Sequence, residues 1–133
     1  MKILLAEDTF VGRMLLMKFL SAYGECHIAA NGQEAVEACQ MALDANEPYD
    51  LICLDIMMPV MDGREAQKRI RELEEAGNIP FGDGAKIVMI TAVDDKDSVI
   101  QAFRDTCDGY LIKPIKKDPL EELLAKLGFS SPG

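Results

Sequence analysis

The sequence predicts an α/β domain: a five-stranded parallel sheet of strand order 2-1-3-4-5, doubly wound, with helices on both faces in a three-layer αβα arrangement. Three observations predict it. Five short apolar runs alternate with stretches of helical period, the pattern of strands joined by helical crossovers. The third run, Asp50-Leu51-Ile52-Cys53-Leu54-Asp55, is continuously apolar between its two carboxylates, as in a strand covered on both faces. Pro59 and Asp62-Gly63 follow too soon for that run to be a long helix.

Lys2 to Ala6 is the first strand, with Glu7-Asp8 at its end. Residues 10–23 have helical period, with Val11, Leu15 and Phe19 as the expected apolar stripe and Gly24 as the stop. Residues 26–30 make a short second strand. Asn31 caps a second helix, with Glu34 three residues on, and Ala35, Val36, Cys39, Ala42 and Leu43 form its apolar face. After the third strand, Asp62 caps a third helix carrying Ala66, Ile70 and Leu73. Residues 77–85, with three Gly and one Pro, form a loop longer than a usual helix-to-strand connection and read as a surface insertion or a partner contact.

Lys86 to Thr91 is the fourth strand and ends on a hydroxyl. Asp94-Asp95 opens a fourth helix with Val99, Ala102 and Phe103. Gly109 to Ile112 is the fifth strand, with Lys113-Pro114 at its end. Asp118-Pro119-Leu120-Glu121 is a helix start, with Asp118 as the cap and Pro119 in the first position. Leu120, Leu123, Leu124 and Leu127 then form a stripe that Gly128 stops. One domain over residues 1–128, followed by a short tail at 129–133, accounts for the 133 residues.

The composition narrows the function. Apolar residues are 49% of the chain, a globular proportion, and the net charge is −9. An acidic protein lacks the basic footprint that binds nucleic acid, and it is repelled by an anionic membrane. Cys26, Cys39, Cys53 and Cys107 form no CxxC pair and suit reduced thiols, so the expected location is the cytoplasm. The first apolar run is too short for a signal peptide or a membrane span. His27, the one histidine, falls in the expected edge strand and reads as structural. The eight Met are read as gap fillers of the core, with Met57, Met58 and Met61 placed to line the rim of a site.

In such a sheet, ligands bind beyond the carboxyl ends of the strands. The order 2-1-3-4-5 sets strands one, three, four and five side by side, so Glu7-Asp8, Asp55, Thr91 and Lys113 meet in one crevice. Taken singly, Asp8 reads equally as a helix cap, Thr91 as a turn hydroxyl and Lys113 as a surface lysine; the combination has no such reading. Two like charges ~4 Å apart repel by about 4 kcal/mol at an effective dielectric of ~20, so three carboxylates call for a raised pKa or a cation. Oxygen donors without His or Cys favour a hard ion, and Mg2+ suits a site completed by water and phosphate. With the Lys113 ammonium and the Thr91 hydroxyl, the crevice is a clamp for phosphoryl oxygens, and Asp55 is the candidate nucleophile that would form an aspartyl phosphate.

Four stretches carry a family resemblance: Leu4-Leu5-Ala6-Glu7-Asp8, the run from Leu54-Asp55 through Met57-Met58-Pro59 to Asp62-Gly63, Ile90-Thr91-Ala92, and Tyr110-Leu111-Ile112-Lys113-Pro114. In this order and spacing the chain resembles a response-regulator receiver domain of two-component signalling, of the single-domain chemotaxis-regulator kind, over residues 2 to 127. The resemblance implies a flavodoxin-like fold and phosphoryl transfer to Asp55 from the phosphohistidine of a histidine kinase or histidine phosphotransfer protein. It implies Mg2+ held by Asp8, Asp55 and the backbone carbonyl of Met57, with Glu7 assisting through water. Thr91 and Lys113 would contact the phosphoryl group, and the Lys113–Pro114 bond would be cis. A switch is also implied, in which Thr91 moves inward, Tyr110 rotates after it, and the face of the fourth helix, fifth strand and fifth helix changes for a downstream protein. The alternative for Tyr110 is a core aromatic.

Such a protein is a phosphoacceptor regulator and not a turnover enzyme. A haloacid-dehalogenase-type phosphatase would need a second Asp two residues after the nucleophile, where this chain has Met57. A flavodoxin-type FMN carrier would need phosphate donors in the first loop, where Glu7-Asp8 would repel the ligand. A degenerate receiver acting only as a binding module would not need the intact set of Asp8, Asp55, Thr91 and Lys113. Neither Met57 nor Val93 can orient an attacking water, which predicts slow self-dephosphorylation. With six residues after Leu127, the chain is expected to be a single-domain regulator or an excised domain.

Overall fold

The computed structural model describes residues 1–80, 82–92 and 107–130. Strands β1 (Lys2–Ala6), β2 (Glu25–Ala29), β3 (Leu51–Asp55), β4 (Lys86–Thr91) and β5 (Gly109–Ile112) form one sheet in the order β2-β1-β3-β4-β5, all neighbours parallel. The described helices are α1 (Phe10–Leu20), α2 (Gly32–Asp44), α3 (Gly63–Ala76) and a C-terminal helix, Lys117–Lys126. The helix expected from Asp94 onward, with Val99, Ala102 and Phe103, lies outside the described residues, as do Val93 and residues 131–133.

Side chains alternate across a strand, so strands that are apolar throughout build two cores at once. Leu4 and Ala6, Ile52 and Leu54, and Ile87 and Met89 pack with Ala35, Cys39, Ala66 and Ile70 of α2 and α3. Ile3 and Leu5, Leu51 and Cys53, and Val88 and Ile90 pack on the other side with Leu16 and Leu20 of α1 and Leu120 and Leu124 of the C-terminal helix. Burying a Leu or Ile fully stabilises by roughly 1.5–3 kcal/mol. A polar group anywhere along the central strands would forfeit that, so polar chemistry is confined to their ends. Burial pushes the thiols of Cys39 and Cys53 up to about 12, which keeps them protonated and inert.

The helix starts follow local chemistry. Thr9, Asn31 and Asp62 cap α1, α2 and α3 by accepting from the N–H groups of Gly12, Glu34 and Glu65. Glu34 Oε1 in turn accepts from the N–H of Ala30, the residue before the cap.

Four boundaries differ from expectation. Helix α1 ends at Leu20, not at residue 23, because Tyr23 N bonds back to Leu20 O and tightens the last turn. Gly24 is then a crossing point and not a helix stop: a Cβ there would lie 2.2 Å from Met1 O, the acceptor of Glu25 N. The buried stripe of α1 is Leu16 and Leu20, whereas Val11 is exposed and Leu15 and Phe19 are only partly covered. A stripe read one residue off is a helix turned by about 100°. Asp118 is not the cap of the C-terminal helix; the cap position is Lys116, with no side-chain bond, and Asp118 lies in the first turn. There its charge still meets the positive end of the helix dipole, and Pro119 needs no N–H. Two strands also start one residue from expectation, β2 at Glu25 and β3 at Leu51. The opposite helix end has Gly128 at φ +96, with Phe129 N bonded to Leu124 O.

Register brings the strand ends into line. Ala6 pairs with Leu54, Leu54 with Met89, and Thr91 with Ile112. The residues that follow β1, end β3 and β4, and follow β5 are therefore neighbours along one edge of the sheet. Gly63 closes this edge from below: a Cβ on it would lie 2.5 Å from the Asp55 carbonyl oxygen, so only glycine lets α3 begin against the end of β3.

Candidate functional site

Asp55 ends β3 and is 1% exposed. Its two oxygens have different partners: Oδ2 accepts from Lys113 Nζ at 2.6 Å, and Oδ1 accepts from the Met57 N–H at 3.1 Å. Lys113, just past β5, also stands 3.7 Å from Glu7 Oε2. Burial alone would lower the Lys113 pKa, but the hydrogen bond and charge of Asp55, with the charges of Glu7 and Asp8 behind them, outweigh it and raise the pKa. Glu7, beyond β1, is likewise 1% exposed. Burial first, then the adjacent Asp55, raises its carboxyl above the usual range, against the lowering effect of its bonds from Thr9.

Glu7, Asp8 and Asp55 each offer a carboxylate oxygen, and these lie within 4.8 Å of one another. Asp8 is exposed, so the cluster opens to solvent on that side. Three oxygen donors without His or Cys fit a hard divalent cation, which could be held there with water completing its shell. Met57, on the rim, has an exposed side chain.

Thr91 is buried at the end of β4, and its hydroxyl donates to Ala92 O at 3.2 Å. Its carbonyl accepts from Lys113 N at 2.8 Å, tying the ends of β4 and β5 together. The Lys113–Pro114 peptide is cis. Tyr110 is not a core aromatic: it is 39% exposed on β5. The fold therefore brings Glu7, Asp8, Asp55 and Lys113 into direct association and places Thr91 in the adjoining strand end. His27 lies at the other edge, with Nδ1 2.7 Å from the Tyr49 hydroxyl and Nε2 3.3 Å from Glu25.

Sequence reasoning missed two groups. Thr9 binds Glu7 through both its N–H and its hydroxyl; the signal was a Thr between an acidic pair and a helix. Arg71 bridges Glu74, Ala85 O and Asp108 at the far edge of the sheet. It anchors the loop at 77–85, whose end is further held by Ala85 N donating to Glu74.

The chain is similar to known proteins over almost its whole length. A family model for the response regulator receiver domain matches residues 3–125. The chemotaxis protein CheY of Halobacterium salinarum is 32% identical over 124 residues, covering 93% of this chain and 93% of that protein. The receiver domain of the sensor histidine kinase PA1611 of Pseudomonas aeruginosa, solved with a magnesium ion in its active site cleft, superposes with a TM-score of 0.73 at 28% identity, covering 94% of each chain. The receiver domain of yeast Ssk1, solved in complex with the histidine phosphotransfer protein Ypd1, gives 0.74 at 29% identity, covering 93% of this chain and 86% of that one. The chain also matches the hybrid signal transduction histidine kinases L and G of Dictyostelium discoideum at 30% and 35% identity, but spans only 7% and 4% of their lengths.

Proposed function

The chain belongs to the response regulator receiver domain family, and on that premise we propose that it accepts a phosphoryl group on Asp55 from a phosphohistidine, with Mg2+ bound, and thereby switches a protein-binding face. The observation that carries this reading is the buried Asp55 carboxylate, paired with Lys113 at 2.6 Å inside an acidic cluster. The donor is a histidine kinase or a histidine phosphotransfer protein.

In the transfer, an Asp55 oxygen attacks phosphorus, the P–O bond forms and the P–N bond to histidine breaks. The electron pair of that bond returns to the imidazole nitrogen. Asp55 attacks as the carboxylate, and the Lys113 ammonium beside it then serves the oxygens of the transferred group. The bond from Met57 N–H holds Oδ1 and leaves the carboxylate few orientations. Asp8, Asp55 and the Met57 carbonyl would hold Mg2+, with Glu7 assisting through water; the ion supplies charge neutralisation between the carboxylates and the incoming phosphoryl group.

The switch uses groups with a second place to go. Thr91 donates to its neighbour's carbonyl and can turn to a phosphoryl oxygen. Tyr110 is exposed and can move inward. The face would comprise β5, the C-terminal helix and the residues between β4 and β5, and a coupling of ~1–3 kcal/mol suffices to bias it. The acidic charge and the absence, among the described residues, of any helix long and apolar enough to cross a membrane fit a partner that is a protein.

Incubation with Mg2+ and acetyl phosphate, followed by intact mass, tests the acceptor. Wild type gains one phosphate and Asp55→Asn gains none. A wild type that gains none defeats the proposal.

A further inference from the structure

Among the described residues, both hydrogen bonds that reach Glu7 Oε1 come from one residue. Thr9 N donates at 3.1 Å and Thr9 Oγ1 at 2.9 Å. The same hydroxyl accepts from Gly12 N at 3.1 Å as the N-cap of α1. A hydroxyl has one proton and two lone pairs, so here its proton goes to the carboxylate and a lone pair to the helix. The first turn of α1 and the Glu7 side chain are thus joined through one oxygen. Gly12 packs against the joint. A Cβ at this position would lie 2.6 Å from Glu7 Cδ and 2.7 Å from both Glu7 Cγ and Thr9 Oγ1. Glu7 is 1% exposed, so it cannot yield toward solvent.

We infer that Thr9 and Gly12 act as a latch on Glu7 and set the preference of the acidic site for Mg2+ over Ca2+; this rests on the metal-binding reading proposed above. With Oε1 committed to Thr9, Glu7 turns Oε2 to the crevice, where it stands 3.7 Å from Lys113 Nζ. A carboxylate held in this way offers one oxygen and cannot swing to chelate with two. Mg2+ accepts that: it takes few protein ligands at near-octahedral positions and keeps its waters. Ca2+ takes six to eight oxygens in looser geometry and gains from bidentate carboxylates. The latch therefore withholds what Ca2+ would use and Mg2+ would not. Thr9 is a positioning residue, acting only through Glu7.

Calorimetric titration of the unphosphorylated chain with MgCl2 and with CaCl2 tests this, beside urea melts of the same samples. Thr9→Val removes the hydroxyl donor and the cap and keeps only the backbone N–H bond to Glu7, Thr9→Ser keeps all three, and Gly12→Ala displaces Glu7 from the other side. The ratio of Mg2+ to Ca2+ affinity is expected to fall by about tenfold in Thr9→Val and Gly12→Ala, the scale of outer-shell effects at metal sites, and to hold in Thr9→Ser. A role confined to capping would lower the stability of Thr9→Val and leave the ratio unchanged, and that result overturns the latch. Gly12→Ala decides alone if Thr9→Val does not fold. A wild type that binds neither ion removes the metal reading and the latch with it; Mg2+ binding with equal ratios in all four proteins removes only the latch.

Discussion

Lys113 and Asp55 are 58 residues apart in the chain, and the Lys113 ammonium donates to Asp55 Oδ2 at 2.6 Å. The parallel order β3-β4-β5 within the sheet makes this contact, because it sets the ends of β3 and β5 on either side of β4. One ammonium faces three carboxylates there, so the site carries excess negative charge. A divalent cation held there would offset that excess.

That imbalance gives the first prediction. Asp8→Asn removes one of the repelling charges from the exposed side of the cluster, where solvent screens it. In chelator, the variant should be more stable than wild type by roughly 1 kcal/mol, or about 3–5 °C in Tm. Added Mg2+ should raise the wild-type Tm and leave the variant's where it was. Thermal unfolding with and without Mg2+ measures both, and an Asp8→Asn Tm at or below wild type in chelator would show that repulsion does not matter.

A second prediction concerns the far edge of the sheet. Arg71 donates to Glu74 Oε1 at 2.7 Å, to Ala85 O at 2.9 Å and to Asp108 Oδ2 at 3.0 Å. Asp108 in turn accepts from Ile87 N at 2.8 Å. Glu74 is buried, so Arg71→Ala leaves a carboxylate without its counter-charge. The loss should be about 2–3 kcal/mol, below the range for a fully buried pair because Asp108 is partly solvated. Urea unfolding reads the loss, and acetyl phosphate should still label Asp55. A loss below ~0.5 kcal/mol would mean that the network behaves as a surface pair.

Val60 gives a third. It has φ 68 and is 81% exposed. A β-branched residue in the left-handed region costs roughly 1–2 kcal/mol, and this one recovers little by burial. Asn tolerates that conformation, so Val60→Asn should stabilise the protein by about 0.5–1 kcal/mol. Chemical denaturation measures it, and a destabilised variant would show that the Val60 side chain makes contacts worth more than the strain.

The central strands were legible in the sequence because burial on both faces leaves little freedom: Leu51 to Leu54 can only be central, and Lys86–Thr91 holds to the residue. The edge strand Gly109–Ile112 holds too, although it is only partly buried, because Lys113-Pro114 ends it. The association of Glu7, Asp8, Asp55 and Lys113 followed from strand order, since each of these residues stands at or just past a strand end. The stripe of α1 was not legible, because Val11, Leu15, Leu16, Phe19 and Leu20 are all apolar and two stripes fit equally well. The C-terminal helix began early for a related reason. Asp118 and Pro119 suit the first turn as well as the cap, and tertiary packing of Leu120 and Leu124 decides between them. Arg71 and Glu74 are three residues apart on α3, but Asp108 lies 37 residues beyond Arg71, and no local pattern joins it to them.

The last prediction returns to the rim of the site. Met57 is tied to Asp55 through its backbone, since its N–H donates to Oδ1 at 3.1 Å, while its side chain is 64% exposed. Loss of phosphate from an aspartyl phosphate requires a water placed in line with phosphorus, and side chains on the rim are what can place it. A thioether accepts hydrogen bonds only weakly and donates none, whereas a carboxamide does both. Met57→Asn should therefore lose phosphate faster than wild type, by on the order of tenfold or more. The backbone bond to Asp55 is unchanged by the substitution, so labelling by acetyl phosphate should be retained. Both proteins are labelled, freed of donor, and followed in Mg2+ by intact mass. A wild-type rate equal to or above that of the variant would falsify the assignment of slow loss to Met57, and it would place control of the phosphorylated lifetime on the other side of the crevice.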